Sequence, residues 1–249
     1  MLRAPLLAAT LALTALPAAA FDVAAMSDGE REAFRAEIRA YLLDNPEVLM
    51  EAIGVLEERQ AADQAQGDVA LVASNADALF NDANSWVGGN PEGDITIVEF
   101  MDYRCGYCKK AFPEVENLIK ADGNIRFIVK EFPILGEQSV VASRFAIATL
   151  QVAGPEAYKK VHDAMMGQRG EFTEAALTAL AEQAGADPAP ILAAMGSDEV
   201  SAVIAENHAL AQAMQISGTP TFVLEDQMLR GYVPLQAMMG IVAEVREAR

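Results

Sequence analysis

Two cysteines occur in the 249-residue chain, and only Gly106 and Tyr107 separate Cys105 from Cys108 in YRCGYCKK. A bridge over two intervening residues closes a very small loop and removes little entropy from the unfolded chain, so stability is a weak reason for the pair. Disulfide exchange requires an attacking thiolate, an accessible sulfur and a second thiol that resolves the mixed disulfide, and this spacing supplies all three. A passive bridge and a metal half-site are the other readings. Structural zinc takes four ligands, and only His162 and His208 could join the pair, neither at finger-like spacing. Cu(I) can bind two soft thiolates, which makes copper the serious metal alternative. Each histidine, taken alone, reads as a helix-surface residue.

The elements around the pair decide how it is presented. DITIVEFMDY is a run of β-branched and apolar residues after the turn chemistry of GGNPEGD, and it predicts a central buried strand. A helical pattern starts at Cys105, with Cys108, Phe112, Val115 and Ile119 on one face and Pro113 expected to kink it. At a helix start, free N–H groups and the macrodipole favour a thiolate and can bring a cysteine pKa from about 8.5 to within about 3.5–7.5. Cys105 is then the nucleophile, and Cys108, one turn in on the apolar face, the resolving thiol. IRFIVKEFPI supplies a second strand, so the segment is a βαβ unit whose two strands run parallel. Within ITIVEF, Glu99 is expensive to bury as a charge, and a solvent-facing strand position is one reading of it.

Residues 137–214 carry helical periodicity with stop and start signals at Gly154-Pro155, Thr173, Gly185, Asp187-Pro188, Gly196 and Asp198, a helical insertion. TPTFVLED and MLRGY predict a hairpin. A last helix from Pro234 places Leu235, Met238, Met239 and Val242 on one face.

Ahead of this domain, residues 1–20 show a basic Arg3, a short apolar run and small residues Ala18 and Ala20, the pattern of a cleaved secretory signal. The run is too short for a membrane span, which needs about 20 apolar residues, and no membrane insertion is expected. Export would place the cysteines where disulfides persist. The formal net charge of −18 disfavours nucleic acid and anionic membranes as partners.

From Ser27 to about Gln66 two short amphipathic helices are predicted. Ser27 and Glu30 form a capping box, and Phe34, Ile38, Tyr41 and Leu42 share a face. The second helix is capped by Asn45, with Pro46 in its first turn and Leu49, Ile53 and Leu56 on one face. So small a unit needs a partner, either the main domain of its own chain or further copies. RQAADQAQGD reads as a spacer, flexible or a continued helix. The domains are then 1–20, 21–66 and 67–249.

VEFMDYRCGYCKK, VKEFPILG and ISGTPTFVL resemble the DsbA-like branch of the thioredoxin superfamily, and IRAYLLDNPEVLMEAIGVLEERQ resembles the N-terminal module of ScsC-type periplasmic proteins. The resemblance implies an α/β thioredoxin fold with an inserted helical domain, behind an N-terminal helical oligomerisation segment. It implies that Cys105 attacks and Cys108 resolves, with no cofactor beyond their redox-active disulfide. It matches Thr219 and Pro220 to the cis-proline loop that faces the cysteines and holds substrate, Glu99 to a buried acid beneath them, and Lys130 to that acid's basic partner on the adjacent strand.

Oxidising members typically have histidine before the second cysteine, where this chain has Tyr107. An imidazolium there would stabilise the Cys105 thiolate, and tyrosine cannot supply that charge. Gly106, Tyr107 and Thr219 look like the choices of DsbC-type isomerases. A periplasmic isomerase or reductase of exported cysteine-containing proteins is therefore expected, as a homotrimer with a membrane thiol-disulfide redox partner. A dithiol oxidase and a copper-binding or copper-tolerance protein are the alternatives.

Overall fold

The computed structural model describes residues 23–248, so the signal segment lies outside the described residues. Two compact units divide between Arg59 and Gln60. The first holds a short 3-10 turn, Val23–Ala25, then α1, Asp28–Asp44, and the start of α2, Glu47–Ser74. The Ser27–Glu30 capping box closes the start of α1 as expected. Asn45 does not cap α2. Its backbone N–H and its Nδ2 both donate to Tyr41 O at 2.8 Å, so it finishes α1 instead. The second helix is also not short: it continues through the Ala- and Gln-rich stretch to Ser74, whose residues are good helix formers.

The second unit, from Gln60, contains a five-stranded sheet in the order β1-β3-β2-β4-β5. Its strands are β1 Trp86–Gly89, β2 Ile95–Met101, β3 Ile125–Glu131, β4 Thr221–Leu224 and β5 Gln227–Arg230. β2 and β3 are parallel, joined by α4, Gly106–Asp122, and the other pairings are antiparallel. The hairpin of β4 and β5 is as expected. β1 is not, because its last two residues, Gly88 and Gly89, open the turn chemistry of GGNPEGD. Its glycines have steric causes: a Cβ on Gly88 would lie 2.0 Å from the Trp86 ring, and Gly89 has φ +68°. The short helix α3, Ala76–Phe80, precedes this strand.

The helical insertion comprises α5 Glu137–Ala153, α6 Pro155–Gly167, α7 Glu174–Ala184, α8 Pro188–Ala194 and α9 Asp198–Ala213. Thr173, Asp187 and Ser197 cap three of these starts with side-chain oxygens. The closing helix α10, Leu235–Glu247, buries Met238 and Val242 and leaves Met239 exposed. One core lies on the sheet face shared by Ile95, Ile97, Phe127 and Val129 with α4 to α10. The other face packs Val98, Phe100 and Ile128 with Val72, Leu79 and Leu210.

Candidate active site

The strand β2 runs straight toward the cysteines, and the loop Asp102–Arg104 turns the chain into α4. Asp102 holds that loop: Oδ1 accepts from Arg104 N–H at 2.7 Å, and Oδ2 from Ile134 N–H at 2.8 Å and Leu135 N–H at 3.1 Å. Cys105 is the N-cap of α4, with Cys108 N–H donating to its sulfur at 3.4 Å. Pro113 lies within α4 without ending it.

Hydrogen bonding from the Cys108 thiol is the largest influence on Cys105. Partial burial opposes it, Thr219 and the backbone N–H groups of Cys108 and Tyr107 reinforce it, and the pKa falls from 9.0 to about 5. Cys108 moves the other way. Its hydrogen bond to Cys105, then burial, then the Glu99 carboxylate push its pKa far above the usual thiol range. Both are free thiols in this structure.

The Thr219–Pro220 peptide is cis, as the resemblance implies. The thiol of Cys105 donates to Thr219 O at 3.2 Å, so this loop sits directly across from Cys105. Gly106 and Tyr107 open α4, and the Tyr107 side chain is 62 % exposed with its ring stacked 6.5 Å from that of Tyr232.

Glu99 is 2 % exposed, which removes the solvent-facing reading. Burial chiefly, then the Cys105 thiolate, Glu116 and Glu131, push its pKa up to about 8. The expected Lys130 partnership does not form. In the parallel register Glu99 opposes Val129, while Lys130 opposes Phe100 on the other sheet face. Lys130 Nζ donates to Asp82 Oδ2 at 2.7 Å and Ala78 O at 2.8 Å, and Glu99 Oε1 has no hydrogen-bond partner. The strand alternation that separates them is visible in the sequence. The missing information was that Asp82 would take the lysine.

A second buried acid went unread. Glu131 Oε1 accepts from Tyr103 OH at 2.8 Å and Tyr158 OH at 2.7 Å, and Oε2 accepts from Ser143 OH at 2.8 Å. Burial raises its pKa to about 7 against those bonds. Tyr103 OH also lies 2.9 Å from His162 Nδ1. His162 is therefore buried rather than on a helix surface, and burial lowers its pKa to about 3. This cluster ties the residue two before Cys105 to α5 and α6. The adjacent charges of VKEF inside an apolar strand were the available signal.

Among the described residues, no group of three or more His, Cys, Asp or Glu side chains could hold a metal ion, so no third such ligand stands beside the thiols for copper. No helix among them is long and apolar enough to cross a membrane.

The DSBA-like thioredoxin domain matches residues 96–243. The chain belongs to that family. The copper resistance protein ScsC N-terminal domain matches residues 30–63 of this DsbA-like chain. A thioredoxin-like oxidoreductase from Silicibacter pomeroyi is 43% identical, covering 70% of this chain and 98% of that one, with a TM-score of 0.65. A linker-deletion mutant of Proteus mirabilis ScsC is 27% identical over 92% of this chain and 100% of that one, with a TM-score of 0.67. The Na+/H+ antiporter NhaA 1 of Salinispora arenicola is 28% identical over 157 residues, 63% of this chain, and the chain spans only 24% of that relative's length. The chain is thus similar both to oxidoreductases of thioredoxin-like and ScsC type and to one part of a much longer relative.

Proposed function

We propose that this DsbA-like protein is a periplasmic thiol-disulfide oxidoreductase that isomerises or reduces disulfides of exported proteins, assembled as a homotrimer through residues 21–66 and kept reduced by a membrane thiol-disulfide partner. The observation that carries the reading is Cys105 itself: a helix-capping thiol with a pKa of about 5, facing the cis Thr219–Pro220 loop and backed by a buried Cys108.

The Cys105 thiolate attacks one sulfur of a substrate disulfide. A new S–S bond forms, the substrate S–S bond breaks, and the other substrate sulfur leaves as thiolate. In isomerisation that thiolate, or another in the substrate, attacks elsewhere and finally displaces Cys105. In reduction Cys108 attacks Cys105 Sγ, and a Cys105–Cys108 disulfide and a free substrate thiol result.

The mixed disulfide prepares its own resolution. It consumes the Cys105 sulfur whose hydrogen bond is the largest cause of the high Cys108 pKa. It also removes the Cys105 charge, the second cause of the raised Glu99 pKa. Glu99 then ionises more readily beside a thiol that must lose its proton, and it serves as the base.

Tyr107 supports isomerase or reductase over oxidase, because no imidazolium adds to the stabilisation that Cys108, Thr219 and backbone N–H groups already give the Cys105 thiolate, a stabilisation that serves exchange in either direction. The exposed Phe34, Ile38, Tyr41, Leu49, Ile53 and Leu56 support assembly between copies. The test is recovery of scrambled ribonuclease activity and reduction of insulin by the mature protein. Both should occur, and Cys105→Ser should abolish both. Rapid oxidation of reduced ribonuclease with no recovery of the scrambled form would favour the oxidase instead.

A further inference from the structure

Positive charge is scarce in this chain, with 18 Lys and Arg against 36 Asp and Glu. Four of those cations, Arg104, Lys109, Lys110 and Arg169, nevertheless gather beside the cysteine pair. The first three flank it in sequence. The fourth is brought there by the loop after α6, where Arg104 Nη1 donates to Gly170 O at 2.9 Å and Lys109 Nζ donates to Gln168 O. Arg169 lies between those two anchors, exposed. Burial first, then Arg104 and Arg169, hold the Lys109 pKa below its usual value, so the three cations feel one another.

Elsewhere in the same unit several cations are committed. Lys159, Arg230 and Arg246 are paired to carboxylates, and Lys130 is buried against Asp82. Among the described residues, none of the four cations at the cysteines makes an ion pair within 4.0 Å. The nearest acids are partly engaged elsewhere: Glu114 accepts from Tyr232 OH and Leu235 N–H, each at 2.6 Å, and is also attracted by Lys110, and Glu171 follows Gly170 in the chain. Lys110 Nζ stands 3.9 Å from the centre of the Tyr232 ring, against which Tyr107 stacks, so an aromatic pair with a cation on it borders the cysteines. Like charges held together without a close ion pair cost free energy, and the principal groups that activate Cys105 do not include them.

We infer that this rim receives a substrate segment carrying carboxylates beside its reacting cysteine, an inference that rests on the exchange function proposed above. In the exchange step Cys105 bonds to one substrate sulfur and the other leaves as thiolate, so the number of disulfides is unchanged and no outside oxidant is consumed. The carboxylates flanking the captured sulfur lie on Arg104, Lys110 and Arg169 while the mixed disulfide lasts. The rest of the acidic surface repels the same segment at long range, so selection is local.

The experiment uses the reduced full-length protein and two disulfide-bonded peptides that differ only in Glu or Lys on either side of the cystine. Each exchange rate is divided by that peptide's rate with 2-mercaptoethanol, which removes the effect of flanking charge on the disulfide itself. At about 0.1 M salt the Debye length is about 10 Å, which leaves the rim felt and the distant surface screened; at about 1 M it is about 3 Å. The Glu peptide should react about fivefold faster at the lower salt, the size of two or three exposed ion pairs, and the ratio should approach one at the higher. Lys110→Glu with Arg169→Glu should invert the preference. Equal rates, a faster Lys peptide, or a ratio unchanged in the double variant overturns the inference while leaving exchange intact. Failure of both peptides to react overturns the exchange function, and this inference with it.

Discussion

Glu99→Gln separates chemistry from stability at a single residue. The carboxylate is buried without a partner at Oε1, so its ionisation is a cost to the fold. Its folded pKa of about 8 lies above the ordinary 4.5. The stability it contributes is therefore complete below pH 4.5 and lost as pH rises through 8. Glutamine does not titrate, so the urea midpoint of the variant should fall less than that of the wild type between pH 4.5 and 8. Resolution of a trapped mixed disulfide by Cys108 should meanwhile slow by about tenfold or more, the low end of general-base effects. Equal resolution rates in the two proteins would remove Glu99 from the mechanism. The nucleophile has the opposite sign. A Cys105 pKa of about 5 lies below 9.0, so its stabilisation of the reduced protein is full above pH 9 and lost as pH falls through 5. Iodoacetamide should therefore alkylate Cys105 with a midpoint near pH 5, and a midpoint near 9 would contradict the site's electrostatics. The placement of Cys105 at a helix start and of Cys108 one turn in, buried, was legible because two residues of spacing after a strand encode it. The Glu131 cluster was not: Tyr103, Glu131, Ser143 and Tyr158 are spread along the chain, and nothing local says that two tyrosines and a serine converge on one carboxylate, with His162 against Tyr103.

At the scale of elements, strand alternation corrects the assignment of Lys130. Its ammonium is 1 % exposed and joins β3 to Asp82 and to the carbonyl of Ala78 in α3. Removing one member of a buried pair leaves the other charge uncompensated, at a cost of about 3 kcal/mol or more. Lys130→Met should therefore lower stability by that order in urea unfolding, while resolution of the mixed disulfide, on the opposite sheet face, changes by less than about twofold. A large loss of resolution rate with stability intact would restore the Glu99 partnership. The strands β2, β3, β4 and β5 and the inserted helices were readable from apolar runs, caps and turns. β1 was hidden because the residues that let Trp86 lie flat against the sheet are glycines, the same signal that marks a loop. The full length of α2 was hidden because an Ala- and Gln-rich stretch serves equally as a coil or a helix until something holds it. Here Asp68 accepts from Arg230 Nη2 at 2.8 Å, and Val72 is buried.

At the scale of the whole molecule, many of the described apolar residues of the first unit are exposed. None of the residues of α1 is buried, and Leu43 and Met50 are 66 % and 68 % exposed. A sequence places such side chains on a face by periodicity, but it does not contain the copy that would cover them. Burial between copies stabilises by roughly 25 cal/mol per Å² of apolar surface, and several Cys105 sites around one substrate raise the effective concentration at which a wrong disulfide meets a fresh thiolate. Isomerisation needs repeated attack on one held substrate, whereas insulin reduction needs a single encounter, so assembly should matter to the first and little to the second. Sedimentation of the mature protein should give the mass of a trimer, and Ile53→Asp with Leu56→Asp should give the monomer. Insulin reduction by the variant should stay within about twofold, and scrambled-ribonuclease recovery should fall by about fivefold or more, a loss modest beside the 10²–10⁴ that avidity can supply. A wild-type monomer, or undiminished recovery by a monomeric variant, would detach the exposed helices from isomerase function and leave the cysteine site to act alone.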